Sequence, residues 1–332
     1  MDRRTFLKVL GASAGSATLG AAFGQSTTAT KALVTSGTAE TLAAVTGLFS
    51  SKIAIAHRGA SAYMPENTLP AYRLAIKQGA TLVEQDLNIS KDGVLVCIHD
   101  GSLEATTDVE EVFPDRFTMK TVKGEQVKTW MVSDFTVAEI KTLKAGFRNG
   151  QIGEPTTIPT WQEAIDEIRG KAGLCPETKS ESYYAKLGFQ MEKLVAEQLR
   201  KNGLDKVGGD GRTPVLMQSF SKDSISRLAE NGIHLPMIWL QAKGTKDLSA
   251  LIPEALRLGY AALGPCKDDI TAEFVQAAHK AGAKVITYTY EPGSLKAGFA
   301  DVKAEMSNHL YDLGIDGLFT NNPDLFPRAK SS

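Results

Sequence analysis

From Ile53 onward, short apolar runs bounded by Gly, Pro, Asn or Asp alternate with longer stretches whose apolar residues recur at helical spacing. The runs predict strands over Ile53–His57, Leu82–Asn88, Leu174–Thr178, Val215–Ser219, Leu235–Leu240, Ala261–Gly264, Val285–Tyr290 and Gly317–Thr320. The intervening periodicity predicts helices over Leu69–Gln78, Trp161–Ile168, Tyr183–Asn202, Lys222–Asn231, Asp247–Leu258, Ala272–Ala281 and Ala304–Leu313. Strand and helix in strict turn imply a parallel sheet, because a helical crossover returns the chain to the edge from which it left. Eight strands fit an α/β TIM (β/α)8 barrel; a doubly wound open sheet is the alternative, and the strand count favours the barrel.

Two places break the rhythm. Asp92-Gly93 is a two-residue hairpin signal, which makes Val94–Ile98 an antiparallel return strand outside the barrel wall. Pairing Lys91 with Val94 sets a register that places Asp86 opposite His99. Gly101 to Pro159 is too long for an ordinary strand-to-helix loop. It leaves the end of the strands where barrels carry their sites, so it is expected to cap the mouth and select substrate. The competing reading is a subdomain of purely structural purpose.

Polar residues at strand ends supply the candidate chemistry. Residues two apart on a strand share a face, roughly 6.5 Å apart, so Glu84 and Asp86 point the same way. Two acids so placed repel unless a cation lies between them or one takes a proton. The first apolar run ends in His57-Arg58-Gly59, and the hairpin delivers His99-Asp100 beside the acids. The third strand ends in Glu177 and Lys179, which also share a face. Glu84, Asp86 and Glu177 would make an all-oxygen set suited to Ca²⁺ or Mg²⁺ rather than Zn²⁺. With one divalent cation, Arg58 and Lys179 would then balance the three acids and one bound anion.

Composition limits the remaining possibilities. The chain has 332 residues, 42% hydrophobic and 23% charged, and a net charge of −1. The charge gives no bulk attraction to nucleic acid or anionic membrane. Cys97, Cys175 and Cys266 lack metal-thiolate spacing; Cys97 and Cys175 fall in predicted strands and are expected to be buried thiols, with pairing left open. At the N-terminus, Asp2-Arg3-Arg4-Thr5-Phe6-Leu7-Lys8 is a twin-arginine pattern. The mild Gly/Ala/Ser-rich stretch after it is too short for a membrane span, and Ala22-Phe23-Gly24 is a plausible cleavage site. Residues 1–24 are therefore expected to be an export signal, with periplasmic localisation, and residues 25–50 a linker or loosely docked helix over Ala39–Phe49. The catalytic domain is expected over 51–328, with no integral membrane segment in the mature protein.

Taken together, His57-Arg58-Gly59, Pro65-Glu66-Asn67-Thr68, Glu84-Gln85-Asp86, Asp92-Gly93 and His99-Asp100 resemble, in order, the glycerophosphodiester phosphodiesterase family. Thr107-Asp108-Val109 and Phe113 to Arg116 resemble the insertion of its exported bacterial members. Asp316 to Thr320, with Asn322-Pro323-Asp324, resembles its last strand. The resemblance implies hydrolysis of deacylated phospholipids to sn-glycerol 3-phosphate and an alcohol, with His57 and His99 as the acid/base pair and His99 protonating the leaving group. It implies attack by the substrate's own glycerol 2-hydroxyl, and a cyclic phosphate then opened by water. Glu66 resembles a family site residue, in the metal shell or on a glycerol hydroxyl, although it also precedes a helix cap. Gln218 is a candidate substrate contact. Where many relatives carry Trp-Thr, this chain has Tyr288-Thr289, so Tyr288 is expected to line the pocket. Asp100 is expected to orient His99 or hold the hairpin, and His234, His279 and His309 to be structural or exposed, without partners. Alternatives are a phospholipase D-like or phosphoinositide phospholipase C-like enzyme on the same barrel, or a non-catalytic phosphodiester-binding protein. The polar, charged insertion speaks against a lipid-facing rim, and the full set of acids, imidazoles and cations speaks against lost catalysis.

Overall fold

The computed structural model describes residues 47–151 and 154–328. The proposed export signal, and the linker up to residue 46, lie outside the described residues.

Eight parallel strands close on themselves. They are β1 (Ile53–Ala56), β2 (Leu82–Ile89), β6 (Gly173–Thr178), β7 (Met217–Ser219), β8 (Met237–Leu240), β9 (Ala262–Gly264), β10 (Lys284–Tyr290) and β11 (Gly317–Thr320). β1 pairs with β11 on one side and β2 on the other, which completes the circuit and excludes the open sheet. The strand interiors are nearly all buried, as expected of staves covered on both faces. Inward side chains such as Ile55, Leu82, Cys175, Leu216, Ile238, Ile286 and Phe319 fill the barrel, and the larger cluster lies between barrel and helices. Leu48 and Phe49, at the start of the described chain, pack against the barrel-interior cluster.

The first helix, α1 (Leu69–Lys77), begins at Thr68, whose hydroxyl accepts from the Ala71 amide, with Pro70 in its first turn. Gly59 (φ +82°) lets the preceding loop press onto this helix, since a Cβ there would lie 2.7 Å from the Ala71 carbonyl carbon. Three helical expectations change. Tyr183–Asn202 forms two helices, Glu181–Lys186 and Met191–Lys201, separated at Gly188, whose φ of +86° no helix accommodates. Lys222–Asn231 shortens to Ser224–Glu230, and Ala304–Leu313 becomes Val302–Ser307 followed by a wide π-helical turn over Asn308–Asp312.

The hairpin is also corrected. β3 (Leu95–Cys97) pairs with β2 one residue out of the expected register, Leu87 with Cys97 and Asn88 with Val96. The turn carries three residues, not two: the Ser90 amide donates to Val94 O, the Gly93 amide to Ser90 O, and Gly93 sits at φ +79°. Asp86 consequently faces Ile98, whose amide donates to its carbonyl, and His99 lies one position beyond.

The insertion has its own small core, made by Leu103, Val109, Trp130, Val132, Phe135, Ile140 and Leu143 with Val96 and Ile98 of the hairpin arm. A two-stranded ribbon, β4 (Thr118–Val122) with β5 (Glu125–Thr129), projects from it with mostly exposed polar residues. The insertion also sends one side chain, Arg148, to Glu66 and Asp100 at the barrel mouth.

Candidate active site

Parallel register builds the acidic cluster. Asp86 on β2 aligns with Glu177 on β6, and Glu177 with Gln218 on β7, so three polar side chains share one level of the wall, with Glu84 two residues earlier. All three acids are buried, and one carboxylate oxygen from each lies within 4.8 Å of the other two. Burial and the neighbouring Asp86 push the Glu84 carboxyl well above its usual range, and burial pushes Glu177 up to about 7. Burial opposes ionisation of Asp86 as well, but Lys179, His99 and Arg58 hold it well below the usual range. Such a set holds its full charge only around a cation, and its hard oxygen donors fit a divalent ion of the calcium or magnesium type.

Cations and amides fix these acids in place. Lys179 Nζ lies 3.1 Å from Asp86 Oδ1 and 3.1 Å from Glu177 Oε1. Arg58 stands in the left-handed region (φ 58°), which turns its amide to donate to Glu84 Oε2 at 2.5 Å. Its guanidinium donates to Glu66 Oε1 at 2.9 Å and lies 3.4 Å from Asp86 Oδ2. Gln218 Nε2 donates weakly to Glu84 Oε1 at 3.3 Å, which places this candidate substrate contact beside the acids. Glu66 is committed to two arginines: Arg58, and Arg148 through Nε to Oε2 and NH2 to Oε1, both at 2.6 Å. Despite burial, those charges hold its carboxyl at about 2, and it is not one of the three clustered acids.

Two supports escaped sequence reasoning. Asn67 (φ 54°) donates from Nδ2 to Asp86 Oδ2 at 2.8 Å, while its Oδ1 accepts from Tyr72 OH at 3.0 Å. It lay within a quoted motif, but its place beside a helix cap hid this role. Arg148 gave no signal; it stands in a long loop without periodicity, and only the folded insertion carries it to Glu66 and to Asp100 Oδ2 at 2.9 Å.

The two histidines flank the cluster with different partners. His99 Nδ1 donates to Asp100 Oδ1 at 2.6 Å. His57 Nδ1 lies 2.7 Å from Asn321 Oδ1, and Asn321 Nδ2 donates to Glu291 Oε2 at 2.5 Å. Burial and Arg58 lower His57 to about 3; burial, Arg58 and Lys179 lower His99 to about 4. Tyr288 donates its hydroxyl to the Gln241 carbonyl, one residue past the end of β8, and stands edge-on to exposed Phe220, 5.9 Å between ring centroids. None of the other three histidines lacks a partner, correcting the expectation: His279 Nε2 meets Asp316 Oδ2 at 2.7 Å, His309 Nδ1 bonds the Tyr290 hydroxyl, and His234 is engaged as well. The three cysteines are buried free thiols.

Fold and site first define a class: an α/β-barrel enzyme with a carboxylate group able to hold a metal ion at the end where such barrels carry their chemistry. Residues 57–325 match the model of the glycerophosphoryl diester phosphodiesterase family, and the chain belongs to that family. It is 31% identical over 287 residues to the glycerophosphodiester phosphodiesterase of Bacillus subtilis (strain 168), covering 84% of this chain and 86% of that one. It is 32% identical over 309 residues to glycerophosphodiester phosphodiesterase GDPD6 of Arabidopsis thaliana, covering 80% and 82%. Among solved structures, an Oleispira antarctica phosphodiesterase in complex with the product sn-glycerol-3-phosphate superposes with a TM-score of 0.64 at 26% identity, over 83% of this chain and 95% of that one.

Proposed function

We propose that this chain hydrolyses glycerophosphodiesters, the deacylated phospholipids, to sn-glycerol 3-phosphate and an alcohol, using one Ca²⁺ or Mg²⁺ ion and two histidines. The observation that carries the reading is a buried trio of acids, oxygens within 4.8 Å, in a chain whose family match runs from 57 to 325. The product held by the Oleispira antarctica relative supports glycerol 3-phosphate as the shared fragment.

Glu84, Asp86 and Glu177 would hold the ion, and when bound it would draw electron density from a phosphate oxygen and ease attack at phosphorus. Arg58 and Lys179 grip the remaining phosphate charge. His57, kept neutral, accepts the proton of the attacking glycerol 2-hydroxyl as its oxygen bonds to phosphorus. His99 gives a proton to the departing alcohol as the phosphorus–oxygen bond breaks. In the second half, water gives its proton to His99 and opens the cyclic phosphate, while His57 returns its proton to the 2-oxygen; both imidazoles end as they began. Before substrate arrives, burial and the charges of Arg58 and Lys179 keep His99 unprotonated. A phosphodiester anion offsets one of those two charges, so binding substrate favours the protonated acid.

A lipase-like reading is disfavoured because the projecting ribbon of the insertion is polar and charged. Export through the twin-arginine route, from the residue 2–8 pattern, completes the proposal; separately, among the described residues no helix is long and apolar enough to cross a membrane. The test is release of glycerol 3-phosphate from glycerophosphocholine, with and without chelator. Release that stops with chelator and returns with Ca²⁺ or Mg²⁺ is expected; chelator-resistant release overturns the metal, and no release overturns the activity.

A further inference from the structure

The end of the barrel wall carries a hydrogen-bonded row that ends on His57, and its other two members, Asn321 and Glu291, have no part in the reaction as described. β10, β11 and β1 are consecutive staves, and the first residue past each is Glu291, Asn321 and His57. Backbone bonds hold the row: the Asn321 amide donates to Tyr290 O at 3.1 Å, the His57 amide to Thr320 O at 3.0 Å, and the Ala62 amide to Asn321 O at 3.1 Å. The side chains then join in sequence, Glu291 Oε2 to Asn321 Nδ2 at 2.5 Å and Asn321 Oδ1 to His57 Nδ1 at 2.7 Å. Phe319 stands edge-on to the His57 ring, 6.5 Å between centroids.

Donor and acceptor rules give this row one direction. An ionised carboxylate only accepts, so Asn321 must turn its NH₂ toward Glu291. Its carbonyl oxygen then faces the imidazole, and a carbonyl oxygen only accepts, so the hydrogen between them belongs to Nδ1 of His57. A neutral ring with hydrogen on Nδ1 has its lone pair on Nε2. At His99 the partner on Nδ1 is the Asp100 carboxylate, whose negative charge favours a second ring proton. An amide carries no such charge, so the same bond at His57 selects a tautomer without adding a full negative charge beside the ring.

We propose that Asn321 and Glu291 are positioning residues which hold His57 in the Nδ1–H tautomer and leave Nε2 as the proton-accepting atom of the site. The kinetic half of this inference rests on the phosphodiesterase reading; the tautomer does not.

The experiment is ¹⁵N NMR of ¹⁵N-histidine-labelled protein at neutral pH, with His57→Gln used to assign the signal, alongside steady-state kinetics. The wild type should show His57 protonated at Nδ1 and bare at Nε2. Asn321→Ala should give a mixture of tautomers and lower kcat by about 10- to 100-fold with KM nearly unchanged. The double variant Asn321→Asp with Glu291→Gln preserves the row's direction. The amide introduced on β10's end can donate and the carboxylate introduced on β11's end can accept, so the Nδ1–H signal should return. That exchange places a carboxylate beside the ring, so the midpoint of the His57 titration, and with it the acidic limb of the pH–rate profile, should move up in pH. A wild-type ring protonated at Nε2 overturns the proposal, as does an Asn321→Ala variant with unaltered tautomer and kcat. If the tautomer pattern holds while glycerol 3-phosphate release is absent, the activity reading has failed and the positioning row has not.

Discussion

The barrel wall and the insertion supply the same site by different means. On the wall, Asp86, Glu177 and Gln218 are brought level by strand pairing, and neighbouring staves fix each position. The insertion is a separately packed unit around Trp130, Phe135 and Ile140 that reaches the site through a single long side chain, Arg148. Arg148 nevertheless touches two important places, Glu66, which orients Arg58, and Asp100, which orients His99. A lattice position is specified many times over, whereas an arm is specified by the fold of one loop. Wall variants should therefore remove function outright, and insertion variants should loosen it.

Asp86→Asn or Glu177→Gln should have the largest effect, lowering kcat/KM about a thousandfold, or roughly 4 kcal/mol of transition-state stabilisation. Divalent-ion affinity should fall with it. His99→Ala comes next, with kcat down about 10²- to 10⁴-fold and substrate binding little changed; full activity in that variant would remove His99 from the reaction. Arg148→Ala should cost about 10- to 100-fold, the scale of one lost charged hydrogen-bond set, and guanidinium in solution should restore part of it. Phe135→Ala, which opens a cavity in the insertion core at about 3–5 kcal/mol, should reproduce that kinetic loss while the barrel's far-ultraviolet dichroism persists. Equal losses from Phe135→Ala and Asp86→Asn would break the contrast between wall and arm.

The smallest effect concerns pH and belongs neither to the staves nor to the insertion, but to the π-helical turn Asn308–Asp312. Burial first, then Lys296 and Lys267, depress buried His309 to about 4. Between pH 6.5 and 4 the unfolded chain therefore binds a proton that the folded chain refuses. Stability from this group is complete above pH 6.5 and is lost as pH falls through that window. A thermal melt of His309→Gln should accordingly lose less between pH 7 and 5 than the wild type.

Much of the wall could be read from sequence because its physics is local and periodic. Apolar runs gave all eight staves, and the period of two put Glu84 beside Asp86 and Glu177 beside Lys179. Errors arose where one residue's backbone decides the outcome. Gly93 at positive φ lengthens the turn and slips the hairpin by one, and Gly188 splits a helix whose apolar period runs on past it. The supports of the site were the least legible. Asn67 and Asn321 are common turn residues whose importance depends on what lies opposite, and Arg148 depends on the path of a whole loop. Glu66 was noticed, but its engagement by two arginines required knowing where the second one ends.

The central claim is that three acids from two neighbouring staves hold one divalent ion. Isothermal titration of chelator-stripped protein with Ca²⁺ and Mg²⁺, repeated in buffers of different ionisation enthalpy and at pH 6 and 8, tests it most directly. One ion per chain is predicted, with protons released on binding and weaker affinity at pH 6, because Glu177 near 7 must give up its proton to become a ligand. Asp86→Asn should abolish that binding. Wild-type protein that binds neither ion, or an Asp86→Asn variant that binds as tightly as the wild type, would contradict the account.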